Sequence, residues 1–599
     1  MRSPSDFEVF SIDALGTVGF IAPDDQLPHE TAPNAINVIE NMRVDNGSIV
    51  PMDSYTGIYI SWWDTVGFDN LGKISNIDYV HNSQATFWVW FQDKEIGSVN
   101  QTITPQESWE NPQSQEPISS ATYTGTWPAD IWITSKLNAI LMATNGKDAP
   151  QVHYKLGGAD TISTDQMIDF PNWPTGSTAK YVAAYKSFVV CGNVVDESGK
   201  HLPNAVWWSH PSDPGFFPGD GPEAALGWDV ANPESSSGRS ELGRNSGAII
   251  SMVPLRDSLM IYCENAVYRM SFVGGQYIFK FIELFGNTGI FGPNSVVEYD
   301  GMHFCVGKDD VYIHDGQQRK TISDGRIKRY LYDNLSIDDR NVLNVIARRD
   351  ISEIWVMYRK TKTVSGQIAN DHALIWNYED NVWTETTLDL TGGGYTERIS
   401  ASTVTIKELP RLIEKSDTDA GIQYDLATFT YDSSEAANLN YGTTVQLIGQ
   451  QDYIAVGTLI DSSNNHLNNQ FEVETSSTGN TQIPPNIELA FLGINLSDDE
   501  SNQIVTGIYP KFASNSDSLI DIWVSGRDSA SSLDNWQGPF EFNPRKDFYI
   551  PCRVRGRRHS VKAILKTRMI ESDVGDVWEI PTFKLRGLDV KFVQAGRRA

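Results

Sequence analysis

Along the middle of the chain, short apolar runs alternate with polar turns in a unit of turn, strand, turn and second strand, repeated at roughly fifty-residue steps. The clearest copies are Tyr185-Lys-Ser-Phe-Val-Val-Cys-Gly192, Arg256-Asp-Ser-Leu-Met-Ile-Tyr-Cys263 and Tyr299-Asp-Gly-Met-His-Phe-Cys-Val-Gly307. Looser copies are His81-Asn-Ser-Gln-Ala-Thr-Phe-Trp-Val-Trp90, Ser135-Lys-Leu-Asn-Ala-Ile-Leu-Met-Ala143 and Arg349-Asp-Ile-Ser-Glu-Ile-Trp-Val-Met-Tyr358. Val, Ile, Phe, Trp and Tyr fill these runs, residues that suit a pleated, buried surface. A strand-built repeat of this length predicts an all-β fold with a β-propeller of about six blades.

The pattern also divides the chain. Residues 1–60 form an N-terminal segment expected to join the propeller, with Asp45-Asn-Gly47 between two apolar stretches as a hairpin turn. Residues 61–435 hold the blades, interrupted by polar insertions such as Pro211 to Asn245. Within them, Ala373 to Thr384 alternates, turns over four residues and resumes with Val-Trp, an outer hairpin of the kind seen in kelch-type blades. Residues 436–599 carry longer polar spacers between strand-like segments at Ile504 to Ala513, Leu519 to Val524, Phe548 to Val554 and Val561 to Lys566. They are expected to form a β-sandwich-like region or to complete the last blades. Helix is scarce, and Arg326 to Asn334 is the best short candidate.

Composition adds three constraints. The first twenty residues carry Asp6, Glu8 and Asp13 and no unbroken apolar block, which predicts neither a secretory leader nor an anchor, and a product made in the cytosol. Of the four cysteines, Cys191, Cys263 and Cys305 close equivalent strands of different repeats, where they are expected to be small buried hydrophobes rather than disulfide or zinc partners. The net charge is −29, yet from Arg545 onward fourteen basic side chains face six acidic ones, which leaves −37 on everything before. An acidic body is unsuited to gripping nucleic acid by its phosphates. It suits solubility, and equally a surface along which DNA slides without sticking.

Catalytic chemistry finds little support. The doublets Asp309-Asp310 and Asp338-Asp339 send neighbouring side chains to opposite faces and read as solvated turns. The ten histidines lack the spacing of a helix-borne metal pair, so no metal and no cofactor are expected. Gly286-Asn-Thr-Gly-Ile-Phe-Gly292 lacks the Lys-Ser/Thr of a phosphate loop and reads as a tight inter-blade connection needing φ > 0. Trp62-Trp63, Trp207-Trp208 and Phe87-Trp-Val-Trp-Phe91 are either sugar-stacking platforms or core, and strand alternation favours core. Arg553, Arg555 and Arg557 alternate so as to share one face of a strand. Three readings stand for them: a charge-complementary subunit or domain contact, which is preferred, a nucleic-acid patch, or a solvated face.

Three stretches together resemble the tail nozzle, or tail tubular protein B, family of short-tailed bacteriophages. They are Asn34 to Pro51, the glycine-bounded segment Leu284 to Gly316 with its closing Val-Tyr-Ile-His-Asp-Gly, and Trp536 to Phe542 through Gly556-Arg-Arg558 with Trp578 and the terminal Gly596-Arg-Arg. The resemblance implies a structural virion protein without catalysis, made in the host bacterial cytoplasm and built into the phage tail. It implies a homohexamer around a central channel that docks on the head-to-tail adaptor, meets tail fibre or tip proteins, holds the packaged genome and opens for ejection. Double-stranded DNA would pass transiently through an acidic channel, with no stable nucleic-acid binding and no membrane segment. The rival class is a glycan-binding or glycoside-hydrolysing propeller, in which the Trp pairs would be exposed or an acidic pair would converge. The Asp-box of sialidases is present only as a fragment in Ser529 to Trp536.

Overall fold

The computed structural model describes residues 7–13, 36–40, 42–51, 74–81, 86–94, 96–100, 115–117, 123–126, 128–137, 140–154, 166–213, 216–275, 277–323, 325–349, 351–360, 370–399, 406–414, 472–476, 479–483, 487–496, 502–514, 519–529, 532–566, 568–572, 575–579 and 583–595. Six antiparallel sheets follow one another along residues 74–414, each paired in simple sequence order. Blade 1 comprises Ile74–His81, Thr86–Gln92, Ile96–Asn100 and Gln115–Pro117, and blade 2 comprises Ile133–Leu137, Ile140–Thr144, Gln151–Tyr154 and Gln166–Asp169. Blade 3 is built from Thr178–Tyr185, Phe188–Val195, His201–Trp208 and Gly238–Glu241, and blade 4 from Ile249–Leu255, Ser258–Cys263, Ala266–Phe272 and Phe279–Gly286. Val296–Tyr299, Met302–Val306, Val311–His314 and Arg319–Thr321 form blade 5. Asn344–Arg348, Glu353–Tyr358, Asn370–Asn377, Val382–Ile399 and Ile406–Glu414 form blade 6, which has a fifth strand.

Every copy of the sequence unit is the first hairpin of a blade, one in each of the six. The turns force a left-handed backbone: Lys186, Arg256 and Asp300 have φ of 55°, 53° and 45°, the geometry of primed hairpin turns that match strand twist. First strands of successive blades lie side by side, and Val382–Ile399 of blade 6 lies against Ile74–His81 of blade 1, closing the ring. Apolar clusters fill the seams. Phe91, Trp132 and Leu141 join blades 1 and 2, and Met142, Val182 and Trp207 join blades 2 and 3. Val190, Ile249 and Ile261 join blades 3 and 4, and Leu255, Tyr262 and Cys305 join blades 4 and 5. Such seams bury both faces of a sheet, so blade strands read as continuous apolar runs. The helix Gly325–Asn334 follows blade 5, and the hairpin around Trp376 and Trp383 forms the third and fourth strands of blade 6.

The segment around Gly286–Gly292 corrects one expectation. The left-handed residue is Asn287, with φ of 53°. Gly289 and Gly292 serve close backbone approach instead: an added Cβ would stand 2.1 Å from the Glu264 carbonyl oxygen and 1.8 Å from that of Arg340.

The N-terminal strands differ from expectation as well. Met42–Asp45 and Ser48–Pro51 form the expected hairpin, turning at Asn46 and Gly47. They belong not to a blade but to a six-stranded sheet with Phe583–Gln594, Gln503–Ser514 and Ile550–Gly556, and Glu8–Asp13 pairs with Phe583–Gln594 along its length. A second, five-stranded sheet runs Val38–Glu40, Glu488–Ile494, Arg558–Lys566, Leu519–Arg527 and Trp536–Phe542. Ile49, Phe491, Val505, Ile522, Val561 and Leu585 form the core between the sheets, continuous with Ile354, Val356 and Trp376 of blade 6. Alternating apolar residues on both termini supply the two inner faces, and each terminus alone would leave an edge unpaired.

Candidate interaction surface

Strand Ile550–Gly556 is the edge strand of the six-stranded sheet. Its period of two buries Ile550 and Val554 in the sandwich and leaves Arg553 and Arg555 exposed on the outer face. Arg557 is exposed too, but it lies just past the strand, where the chain crosses to the second sheet and its N–H donates to the Arg527 carbonyl at 3.0 Å. Arg558 then turns inward and is buried. Among the described residues none of the three exposed arginines enters an ion pair, so the acidic neighbour expected beside them is not within this chain's described part.

The outer face extends across the sheet. Ile504 stands opposite Arg555, and Val593 opposite Ile504. Lys591 stands opposite Val9, with its ammonium 4.5 Å from the centre of the Phe7 ring. Phe7 and Val9 are 44% and 57% exposed. Tyr549 lies on Gly507, where a Cβ would meet its ring at 2.1 Å, and stacks toward Tyr509 at 4.9 Å between centroids. Phe548 beside them is 79% exposed. Lys511 is neutralised by Asp13 and by Asp589 at 2.8 Å, hydrogen bonds to these carboxylates raise its pKa, and Lys584 of the same sheet pairs with Asp45 at 2.8 Å. Aromatics thus share the sheet with the arginines, Tyr509 and Tyr549 toward the other end of the edge pair and Phe7 three strands away, and none is interleaved with them along the sequence.

The other expected groups have structural employment. Asp310 is buried: it accepts hydrogen bonds from Arg319 and Ser323, both at 3.0 Å, and from Thr321, tying together blade 5. Asp339 is buried and paired with Arg359 at 3.2 Å. Neither is a solvated turn residue, because each meets a cation brought from another strand or loop. Trp207 is buried beneath Arg239, 3.7 Å from the ring centre, and Trp208 donates its Nε1–H to Ser236 at 2.9 Å. Val89 and Phe91 are core, while Trp62-Trp63 lies outside the described residues. Cys191, Cys263 and Cys305 are free and buried, and burial pushes the Cys305 thiol up to about 12.

Sequence reasoning missed one polar constellation, at the seam of blades 4 and 5. The Tyr262 hydroxyl lies 2.6 Å from both His303 Nδ1 and His314 Nε2. His303 Nε2 is 2.9 Å from the Pro254 carbonyl, so it carries the proton and Nδ1 accepts. His314 Nδ1 accepts from the Gly316 N–H, so Nε2 donates. A single directed chain results: Gly316 N–H, His314, Tyr262, His303, Pro254. Burial drives both imidazoles toward neutrality, His303 to about 3, with the neighbouring His314 adding to the effect, and His314 to about 4. The ring nitrogens and hydroxyl satisfy one another in a sealed seam, which fits a structural role. No group of His, Cys, Asp and Glu among the described residues has metal-binding geometry.

Fold and surface together define an all-β protein, a six-bladed propeller carrying a β-sandwich with a basic, partly aromatic outer face. No protein-family model matches the chain, and no curated protein matches it. Among solved structures it is similar to a nidogen/laminin complex, at 10% identity and a TM-score of 0.27 over 50% of this chain and 97% of that one. It is similar to a β-propeller domain from Myceliophteria thermophila, at 7% and 0.31 over 57% and 93%. A third likeness is to the extracellular domain of a putative hybrid two component system from B. thetaiotaomicron, at 12% and 0.30 over 88% and 81%. Likenesses this distant carry no argument about activity, and the fold rests on the strand pairing itself.

Proposed function

We propose that this chain is a structural virion protein, a subunit of the tail nozzle of a short-tailed bacteriophage. Copies assemble into a ring, a homohexamer by the family resemblance, whose channel leads DNA outward, retains the packaged genome and opens for ejection. The head-to-tail adaptor and tail fibre or tip proteins are its neighbours in the virion. The observation that carries this reading is charge segregation: a chain of net charge −29 keeps Arg553, Arg555 and Arg557 exposed at one edge of a sandwich whose outer face also presents Phe7 and Val9 three strands away. Such a surface suits contact with acidic protein, while an acidic channel wall lets polyanionic DNA slide without counterion-releasing grip. The resembling stretches also support it, because Asn34–Pro51 and Trp536–Arg558, far apart in sequence, contribute strands to the same sandwich.

A glycan-binding or glycoside-hydrolysing propeller is the second reading. Phe272 and Tyr277, 43% and 76% exposed at a turn of blade 4 with Lys186 over the Phe272 ring, are the stacking groups it would use. Negative-stain imaging of the purified chain, alone and with capsids, separates the two. Sixfold rings with a central hole support the nozzle, and a lasting monomer that retains or cleaves oligosaccharide overturns it.

A further inference from the structure

Blade 3 departs from the other five in one connection. Its third strand ends at Trp208 and its fourth begins at Gly238, whereas the same connection runs from Phe272 to Phe279 in blade 4 and from His314 to Arg319 in blade 5. The insert packs its aromatics onto the seam between blades 2 and 3. Phe217 and Trp228 are buried against Phe170 and Trp173, with ring centroids 4.8 Å apart for Phe170–Phe217 and 4.7 Å for Trp173–Trp228. Its two arms cross where a Cβ on Gly227 would stand 2.4 Å from Gly219, and Asn172 holds the crossing by donating to the Gly219 carbonyl at 2.9 Å. A long loop pinned to the propeller by buried aromatics is a preorganised element that holds its exposed side chains in a fixed arrangement.

That surface is the chemical complement of the sandwich face. Glu223, Asp229 and Glu234 are exposed on it, Glu223 within 3.0 Å of His210, together with Phe216 at 37% and Val230 at 47%, and Glu241 is exposed at the far end of the strand Gly238–Glu241 that follows. Arg239 is the sole Lys or Arg between residues 213 and 241, and it is engaged by Glu197 at 2.6 Å. One patch is acidic with apolar residues among the charges. The other is basic with apolar residues among the charges.

We propose that the blade 3 insert of one copy docks on the Arg553–Arg555–Arg557 face of the sandwich in the next copy. Two different patches on one chain make a head-to-tail contact, which repeats from copy to copy and closes into a ring when the rotation allows. The inference rests on the nozzle reading and deepens it by naming both sides of the subunit contact. Charge complementarity sets register and speeds encounter, and Phe7, Val9, Phe216 and Val230 supply the apolar area that holds the pair together.

The test reverses each side separately in the full chain: Arg553→Glu with Arg555→Glu and Arg557→Glu, and Asp229→Lys with Glu234→Lys and Glu241→Lys. Mass photometry and negative-stain imaging read the assembly, and circular dichroism melting verifies that each variant folds. Each triple variant is expected to need at least about tenfold more protein to assemble, and an equimolar mixture of the two is expected to restore rings. Rings that form unchanged in both variants overturn the contact and leave the nozzle reading standing. Wild type that stays monomeric with and without capsids overturns both. Gel retardation of duplex DNA by wild type, lost in the arginine variant while assembly is unchanged, reassigns the face to nucleic acid and overturns the contact.

Discussion

Tyr262→Phe is the sharpest probe of how the propeller is held together. The ring survives the change, but the hydroxyl that accepts from His314 Nε2 and donates to His303 Nδ1, each at 2.6 Å, is lost. His303 and His314 are 0% and 1% exposed, so solvent cannot supply replacements without opening the seam. Each orphaned buried group costs about 1–3 kcal/mol, and two of them set an expected local loss of about 4 kcal/mol. At about 1.4 kcal/mol per factor of ten, opening becomes several hundredfold more frequent. Hydrogen exchange read by mass spectrometry over Ser258–Cys263 and Met302–Val306 measures it, and local readout is needed because a chain of this size need not unfold in two states. An acceleration below tenfold, or an equal one in blades 1 and 2, would refute the reasoning.

Acid should destabilise the protein in a defined window. Burial lowers His153, His303, His314 and His559 to about 4, 3, 4 and 4 from the usual 6.5. The unfolded chain therefore takes up these protons first, so stability is whole above about pH 6.5 and falls as pH drops toward 4, by up to about 1.4 kcal/mol per unit for each group. A melting temperature flat between pH 7 and 8 and falling steeply from 6 to 4.5 is expected, and one unchanged down to 4.5 contradicts it. Gly292→Ala drives a methyl to 1.8 Å from the Arg340 carbonyl oxygen, so a loss of about 2 kcal/mol or more is expected in thermal unfolding, with wild-type stability the contrary result. Cys191, Cys263 and Cys305 should resist a maleimide in the native state and react only after denaturation, since burial keeps their thiols protonated and out of reach.

The blades were legible because each first hairpin carries a local signal: a polar turn such as Arg256-Asp257 flanked by apolar runs needs no distant partner to be read. The exposure of the arginines was legible for the same reason, since alternation with Ile550 and Val554 sorts side chains between two faces. What depends on distant pairing was not. Nothing near Ser48–Pro51 announces that Ile49 lies opposite Leu585, and nothing near Asp310 announces Arg319 across the blade. The Tyr262 relay joins residues 41 and 52 positions apart through a seam between blades. A buried histidine amid an apolar strand, as in Met-His303-Phe-Cys, was its one local trace. Phe7, Lys591 and Tyr549 join the basic face only once the N- and C-terminal strands share a sheet.

The central claim is that this chain works as the wall of a conduit made by several copies. Negative-stain class averages of the purified protein, taken alone and after addition to tailless capsids, test it most directly. Closed sixfold rings with an open or plugged centre, seated at a single capsid vertex when capsids are present, are the expected result. A monomer that never closes into rings and never binds capsids would contradict it.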